Sequence, residues 1–201
     1  GLLGEGGSSQ APMTITKLCA ALHPHVRFST LDSLSPVYVR QILHGVDYAH
    51  AMFIVSSKSG GTLETLSLYH VIWEDVVREL GEQEAGKHFV AITDPGSDLE
   101  RLARERSFRG VFLGEPTVGG RFSALSVFGL VPAALCGLDV RDMVARAAEM
   151  ERMCSQDSLN NPAVQLASFL ITNLSPASAN CFTYISPQPG RVFGLWMEQL
   201  I

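Results

Sequence analysis

Apolar positions along this chain follow two rhythms, and their alternation predicts the fold. Short consecutive apolar runs, at residues 2–3, 26–30, 52–55, 88–92 and 108–113, read as buried strands. Between them apolar residues recur at three- and four-residue spacing. In residues 62–80, Leu63, Leu66, Tyr69, Ile72, Trp73 and Val76 form one stripe, which predicts a helix with a single apolar face and assigns Trp73 to the core. Other helices are expected near residues 11–22, at 35–44 behind Ser35 and Pro36, and at 98–106 after the turn Thr93, Asp94, Pro95, Gly96, Ser97. Strands this apolar, regularly separated by helices, exclude an antiparallel meander. They predict an α/β fold, a three-layer αβα sandwich around a mainly parallel sheet.

The second half of the chain is more helical. Residues 122–138 are the most apolar stretch, but Ser123, Ser126, Gly129 and Pro132 break it, so a buried helix is expected rather than a membrane span. Asp139 opens a helix through residue 154, and Asn161 with Pro162 opens another through 174. A late strand is expected at 181–185, a turn at 187–190 and a final helix from 192 to 201.

Composition narrows the function. With 201 residues and 46% hydrophobic content, the chain can bury a substantial core. Its net charge is -5 and its Lys and Arg are scattered, which argues against a nucleic-acid partner. Cys19, Cys136, Cys154 and Cys181 lie far apart without a CxxC pair, so they read as reduced core thiols and not as a disulfide framework or zinc site. His23 and His25, split by Pro24, are too sparse a motif for a metal site, and no metal is expected. No signal or targeting pattern opens the chain, so a cytoplasmic location is expected.

Three loops at strand-to-helix junctions carry the candidate chemistry. Ser56, Ser57, Lys58, Ser59, Gly60, Gly61 and Thr62 place hydroxyls and free backbone N–H groups at the start of the 62–80 helix. The unpaired N–H groups and the macrodipole there favour an anion, so this loop is read as a phosphate grip. Gly4, Glu5, Gly6, Gly7, Ser8 and Ser9 form a second glycine-rich turn, equally compatible with an ordinary turn. In the third, Gly119 and Gly120 precede Arg121, a fixed charge that reads either as a surface arginine or as a donor to an oxyanion. Neither a GxGxxG nor a GxxxxGK[ST] pattern occurs, so no dinucleotide or nucleoside triphosphate is suggested.

GEGGSS, SSKSGGTLET, VGGRFSALSVFGL and the terminal WMEQLI, in this order, resemble the glucose-6-phosphate isomerase family, which is built from two sugar-isomerase (SIS) domains. The resemblance is strongest to bacterial forms, including those fused to a transaldolase. It implies a first SIS domain over residues 1–156 and, over 157–201, a bridging helix and the start of a second. It also implies sugar-phosphate binding by Ser57, Ser59 and Thr62, with Lys58 acting through its backbone. Gly7 and Ser8 would touch the sugar. Gly120 and Arg121 match the pair whose arginine stabilises an enediolate, and Glu64 matches a supporting glutamate. Gln199 matches a glutamine one turn before the catalytic glutamate, which would fall two residues beyond Ile201.

By this resemblance the intact protein interconverts glucose 6-phosphate and fructose 6-phosphate without a cofactor, as a cytoplasmic homodimer. The present chain alone, lacking the general base, is expected to be inactive. The alternative is a non-catalytic SIS module that senses a sugar phosphate and regulates a partner. Two positions depart from the family: Glu5 replaces an apolar residue, and Gln10 replaces a common leucine.

Overall fold

A computed structural model describes all residues except 5, 19–25, 174–181, 188–189 and 201. Five strands, β1 (Leu2–Leu3), β2 (Thr30–Leu31), β3 (Phe53–Ser56), β4 (Phe89–Thr93) and β5 (Gly110–Leu113), pair in the order β2-β1-β3-β4-β5. Every pairing is parallel, with Leu3 opposite Val55, Val55 opposite Ala91 and Ala91 opposite Val111. The sequence-predicted α/β sheet is therefore present, and it is parallel throughout.

Side chains alternate across the sheet with the two-residue period of a strand. Leu2, Ile54 and Ile92 meet Phe128 on one face, while Leu3, Val55, Phe89 and Ala91 enter a larger core on the other. Helix α1 (Gly7–Leu18) follows β1, and α2 (Pro36–Leu43) and α3 (Leu63–Leu80) flank β3 in sequence. α3 buries Tyr69, Ile72, Trp73 and Val76 of the stripe expected from periodicity on the larger core, together with Leu68, which that stripe did not include, while Leu63 is 71% exposed and Leu66 half-buried. The rings of Tyr69, Trp73, Phe89 and Phe108 lie within 5.3 to 6.3 Å of one another. Burying each stabilises the fold by about 1.5–3 kcal/mol. Arg106 caps the cluster, its guanidinium 4.8 Å over the Trp73 ring.

α4 (Glu82–Ala85) is a single turn that the periodicity did not reveal, and α5 (Asp98–Glu105) is capped by the Ser97 hydroxyl, which accepts from the Glu100 N–H at 3.1 Å. Two expectations are corrected in this region and the next. The strand expected at 26–30 is observed at Thr30–Leu31, where it pairs with Leu2 and Leu3. The helix expected over 122–138 begins only with α6 (Val127–Leu135), behind a 3-10 turn at Gly120–Leu125. Ser126 stops the turn and starts the helix, its hydroxyl accepting from the Phe128 N–H at 3.3 Å, and Phe122 is left 65% exposed.

The chain divides into two compact units, Gly1–Leu138 with Gln188–Ile201, and Asp139–Pro187. In the second, α7 (Val140–Cys154) begins at Asp139, whose carboxylate accepts from the N–H groups of Arg141 and Asp142, both at 3.0 Å. α8 (Pro162–Asn173) begins at buried Asn161, which accepts from Ala163 and Val164 and donates to the carbonyls of Cys154 and Gln156. One side chain thus starts one helix and closes the end of the other. The strand expected at 181–185 is absent from the described part of that stretch: residues 182–187 are irregular, and Cys181 lies outside the described residues. The final helix, α9 (Phe193–Leu200), belongs to the first unit.

Cys136 is buried and Cys154 half-buried, both as free thiols, while Cys19, Cys181, His23 and His25 lie outside the described residues. Among the described residues no helix is long and apolar enough to cross a membrane, and no group of three or more His, Cys, Asp or Glu could hold a metal ion.

Candidate functional site

The strand order sets the location of the site before any side chain is considered. From β1 the chain crosses to β2 on one side, then returns to place β3 on the other side of β1. Loops leaving the carboxyl ends of β1 and β3 therefore diverge and open a crevice, where ligands of parallel sheets bind. The glycine-rich turn follows β1 and the serine loop follows β3, so the two predicted loops flank one crevice.

The serine loop is held by its own hydroxyls. Ser57 is 2% exposed; its Oγ shares a 2.8 Å hydrogen bond with Thr62 Oγ1 and accepts from the Gly60 N–H at 3.2 Å. Ser59 Oγ accepts from the Gly61 N–H at 3.3 Å. Gly60 turns the chain at φ +72°, and a Cβ there would lie 2.6 Å from Ser97 Cβ, so only glycine fits. Thr62 is the N-cap of α3 by position, but its hydroxyl is engaged by Ser57 and makes no capping bond. The first helical bond runs from Leu66 N–H to Thr62 C=O, which leaves the earlier N–H groups of the turn without helical partners. The loop thus offers hydroxyls and backbone N–H groups at the positive end of an 18-residue helix.

Lys58 does not add its charge to that end. Its Nζ donates to Asp94 Oδ2 at 2.6 Å, and to the carbonyls of Glu115 and Pro116 at 3.1 and 3.3 Å. The Glu115 carboxyl is held below its ordinary range, first by the N–H of Thr117, then by the Thr117 hydroxyl, with Lys58 a smaller contribution.

A second cluster forms around α9. Gly6 has φ +58°, and a Cβ added there would meet Gln199 Nε2 at 3.4 Å. Arg121 Nη1 donates to the Gln199 carbonyl at 3.2 Å, and the Arg121 carbonyl accepts from Trp196 Nε1 at 3.0 Å. Thr14 Oγ1 donates to the Val192 carbonyl at 3.3 Å, which ties α1 to the start of α9. The glycine turn, Arg121 and Gln199 are therefore neighbours. Arg121 itself is exposed, on a turn locked by a 2.6 Å bond from Ser123 Oγ to the Gly120 carbonyl.

The remaining assigned positions are less tightly placed. Gly7 and Ser8 open α1, and Glu5 lies outside the described residues. Ser9, 1% exposed, donates from its backbone N–H and hydroxyl to the Gly6 carbonyl, both at 3.1 Å. Gln10 leaves Oε1 buried without a hydrogen-bond partner among the described residues. Glu64 stands half-buried in the first turn of α3, and its side chain makes no hydrogen bond or ion pair among the described residues. No hydrogen bond among the described residues joins Ser57 or Thr62 to Arg121 or Gln199.

Four residues that the sequence reading did not single out belong to this region. Asp94 and Ser97 hold the serine loop from β4 and the start of α5, and Trp196 holds Arg121 from α9. Thr65, in the first turn of α3, has a buried hydroxyl without a partner among the described residues. Only the turn pattern Thr93 to Ser97 gave a local signal for the first two; the contacts of Trp196 span 75 residues.

Comparison with known proteins places these loops in a wider setting. Residues 2–183 match a family model described as phosphoglucose isomerase. The chain is 34% identical over 173 residues to a glucose-6-phosphate isomerase of Carboxydothermus hydrogenoformans, which covers 81% of this chain and 37% of the relative. A hypothetical protein from Thermus thermophilus superposes with a TM-score of 0.78 at 31% identity, over 85% of this chain and 40% of the other. A glucose-6-phosphate isomerase from Chlamydia trachomatis superposes with a TM-score of 0.74 at 23% identity, over 85% and 33%, and shares the fold. The chain thus spans little more than a third of the curated relative's length.

Proposed function

The chain belongs to the phosphoglucose isomerase family, and from that membership we propose that it supplies the phosphate grip and the oxyanion partner of a glucose-6-phosphate isomerase. The reaction is the reversible isomerisation of glucose 6-phosphate and fructose 6-phosphate. A base moves a proton between C2 and C1, and negative charge develops on the enediolate oxygens between the two transfers. The phosphate lies at the far end of the sugar, where binding energy orients the reacting carbons without touching them.

In this reading Ser57, Ser59 and Thr62 hold the phosphate together with the N–H groups of the first turn of α3, and Lys58 contributes its backbone. Gly7 and Ser8 border the sugar. Arg121, beside Gly120, stabilises the enediolate charge, which exists only near the transition state. Gln199 orients the segment that carries the base, which we place after α9 in the full-length protein, and Glu64 is assigned a supporting role. A first SIS domain through residue 156, a bridging segment from 157, a homodimeric state and a cytoplasmic location are proposed for the intact enzyme on the same grounds.

The observation that carries this reading is the convergence of the β1 glycine turn with Arg121 and Gln199, next to the β3 serine loop at the strand-order reversal. The test is a coupled assay of glucose 6-phosphate and fructose 6-phosphate interconversion by the full-length protein. Arg121→Ala is expected to lower kcat by about 10²–10³-fold with a much smaller effect on KM. An unchanged kcat would remove Arg121 from the chemistry. A full-length protein that binds sugar phosphate but does not isomerise it would favour a sensor.

A further inference from the structure

Lys58 is the cation of the serine loop, and all its donors are engaged. An ammonium carries three N–H donors, and here three acceptors receive them: Asp94 Oδ2, the Glu115 carbonyl and the Pro116 carbonyl, at 2.6, 3.1 and 3.3 Å. The pair is largely withdrawn from solvent, with 23% of the Lys58 side chain and 20% of that of Asp94 exposed. The backbone repeats the connection, since the Asp94 N–H donates to the Lys58 carbonyl at 3.1 Å and the Thr93 hydroxyl donates to it at 3.4 Å.

These contacts span three strand ends. Lys58 follows β3, Asp94 follows β4, and Glu115 and Pro116 lie just beyond β5, on the segment that leads to Gly119, Gly120 and Arg121. A single side chain therefore bridges the loop assigned to the phosphate and the segment that delivers the arginine. A cation meant for the ligand would present an unused donor.

We propose that Lys58 is a positioning residue whose ammonium clamps the serine loop to the 114–120 segment, fixes the span between the phosphate grip and Arg121, and gives no charge to the phosphate. Its consequence for catalysis rests on the isomerase reading above; the clamp itself does not. In a sugar phosphate the phosphate and the reacting carbons sit at opposite ends of one molecule. A shift of one loop against the other then displaces C1 and C2 from Arg121, and misplacement by about 1 Å costs about 10²-fold in rate.

The competing role, a direct Lys58–phosphate contact, makes the opposite prediction for Asp94, because neutralising the carboxylate would release the ammonium toward the ligand. Lys58→Met, Asp94→Asn and the double variant are therefore compared in the full-length protein, first by amide hydrogen exchange and then by steady-state kinetics. Each single variant is expected to raise exchange at residues 57–62 and 114–121 together, by about tenfold or more, with the double variant no worse than either. kcat should fall by about 10- to 100-fold while KM changes by less than about threefold. Lys58→Arg, which keeps the charge and several donors, should recover part of kcat.

Unchanged exchange at 114–121 in Lys58→Met overturns the clamp, as does an Asp94→Asn enzyme that keeps its kcat and lowers KM. If the wild-type protein neither binds nor isomerises a sugar phosphate, the isomerase reading fails. The exchange data then still decide the clamp: coupled loosening of the two segments supports it, and independent behaviour overturns it.

Discussion

Gly60 gives the sharpest test of the serine-loop geometry, because its neighbour Gly61 provides an internal control. Gly60 sits at φ +72°, in the left-handed region, where an alanine costs about 1–2 kcal/mol. Its added Cβ would also lie 2.6 Å from Ser97 Cβ, 2.8 Å from Ser97 Oγ and 2.9 Å from the Leu99 nitrogen. Two of those atoms are on or next to backbone at the start of α5 and cannot swing aside, so relief requires a shift of the loop against the helix, a further ~1–3 kcal/mol. Gly60→Ala is thus expected to destabilise by about 2–5 kcal/mol, a large part of the 5–15 kcal/mol typical of a domain. A Cβ at Gly61 meets nothing within 4 Å and its φ is not positive, so Gly61→Ala should change stability by less than about 1 kcal/mol. Urea unfolding of the two full-length variants side by side, with the slope of the transition checked for constancy, measures the difference. Equal midpoints would refute the claim that this turn is dictated by its contact with α5.

Other expectations follow from the same structure. Ser57→Ala with Thr62→Ala removes a pair of hydroxyls 2.8 Å apart at the helix start, and should weaken sugar-phosphate binding by at least about tenfold in isothermal titration; unaltered affinity would move the phosphate elsewhere. Tyr48 is pushed up to about 12, first by burial and then by Asp75, whose carboxylate accepts its hydroxyl at 3.1 Å. The raised value means that the fold favours the neutral phenol. Stability is therefore complete below the ordinary value of 10 and declines as pH rises from 10 through 12, as the unfolded chain ionises first. Tyr48→Phe should flatten that alkaline decline in unfolding measured across pH 9–12, and an unchanged profile would show that Tyr48 does not govern it.

Much of this fold was legible because it is governed by local rules. The α3 stripe appears in the helix as expected from Tyr69 to Val76, since burial of one face at a 3.6-residue period leaves few alternatives, whereas Leu63, in the first turn, is 71% exposed. Asp139 and Asn161 were readable as helix starts because a cap satisfies N–H groups only two or three residues away. One failure has an equally physical cause. The 122–138 stretch divides at Ser126, where a side-chain bond to the next turn competes with continuing the helix.

For the site, the sequence by itself determined the chemical content: hydroxyls and glycines where a strand meets a helix, one arginine behind two glycines, and a glutamine near the end of the chain. Each of these depends on a few consecutive residues. Only the tertiary structure decided that β3 would lie beside β1, so that the loops share one crevice, and that α9 would set Gln199 between Gly6 and Arg121. It also decided that Lys58 would meet Asp94 36 residues away. Strand order and long-range ion pairs depend on which surfaces the whole chain can bury together, and no short window of sequence contains that information.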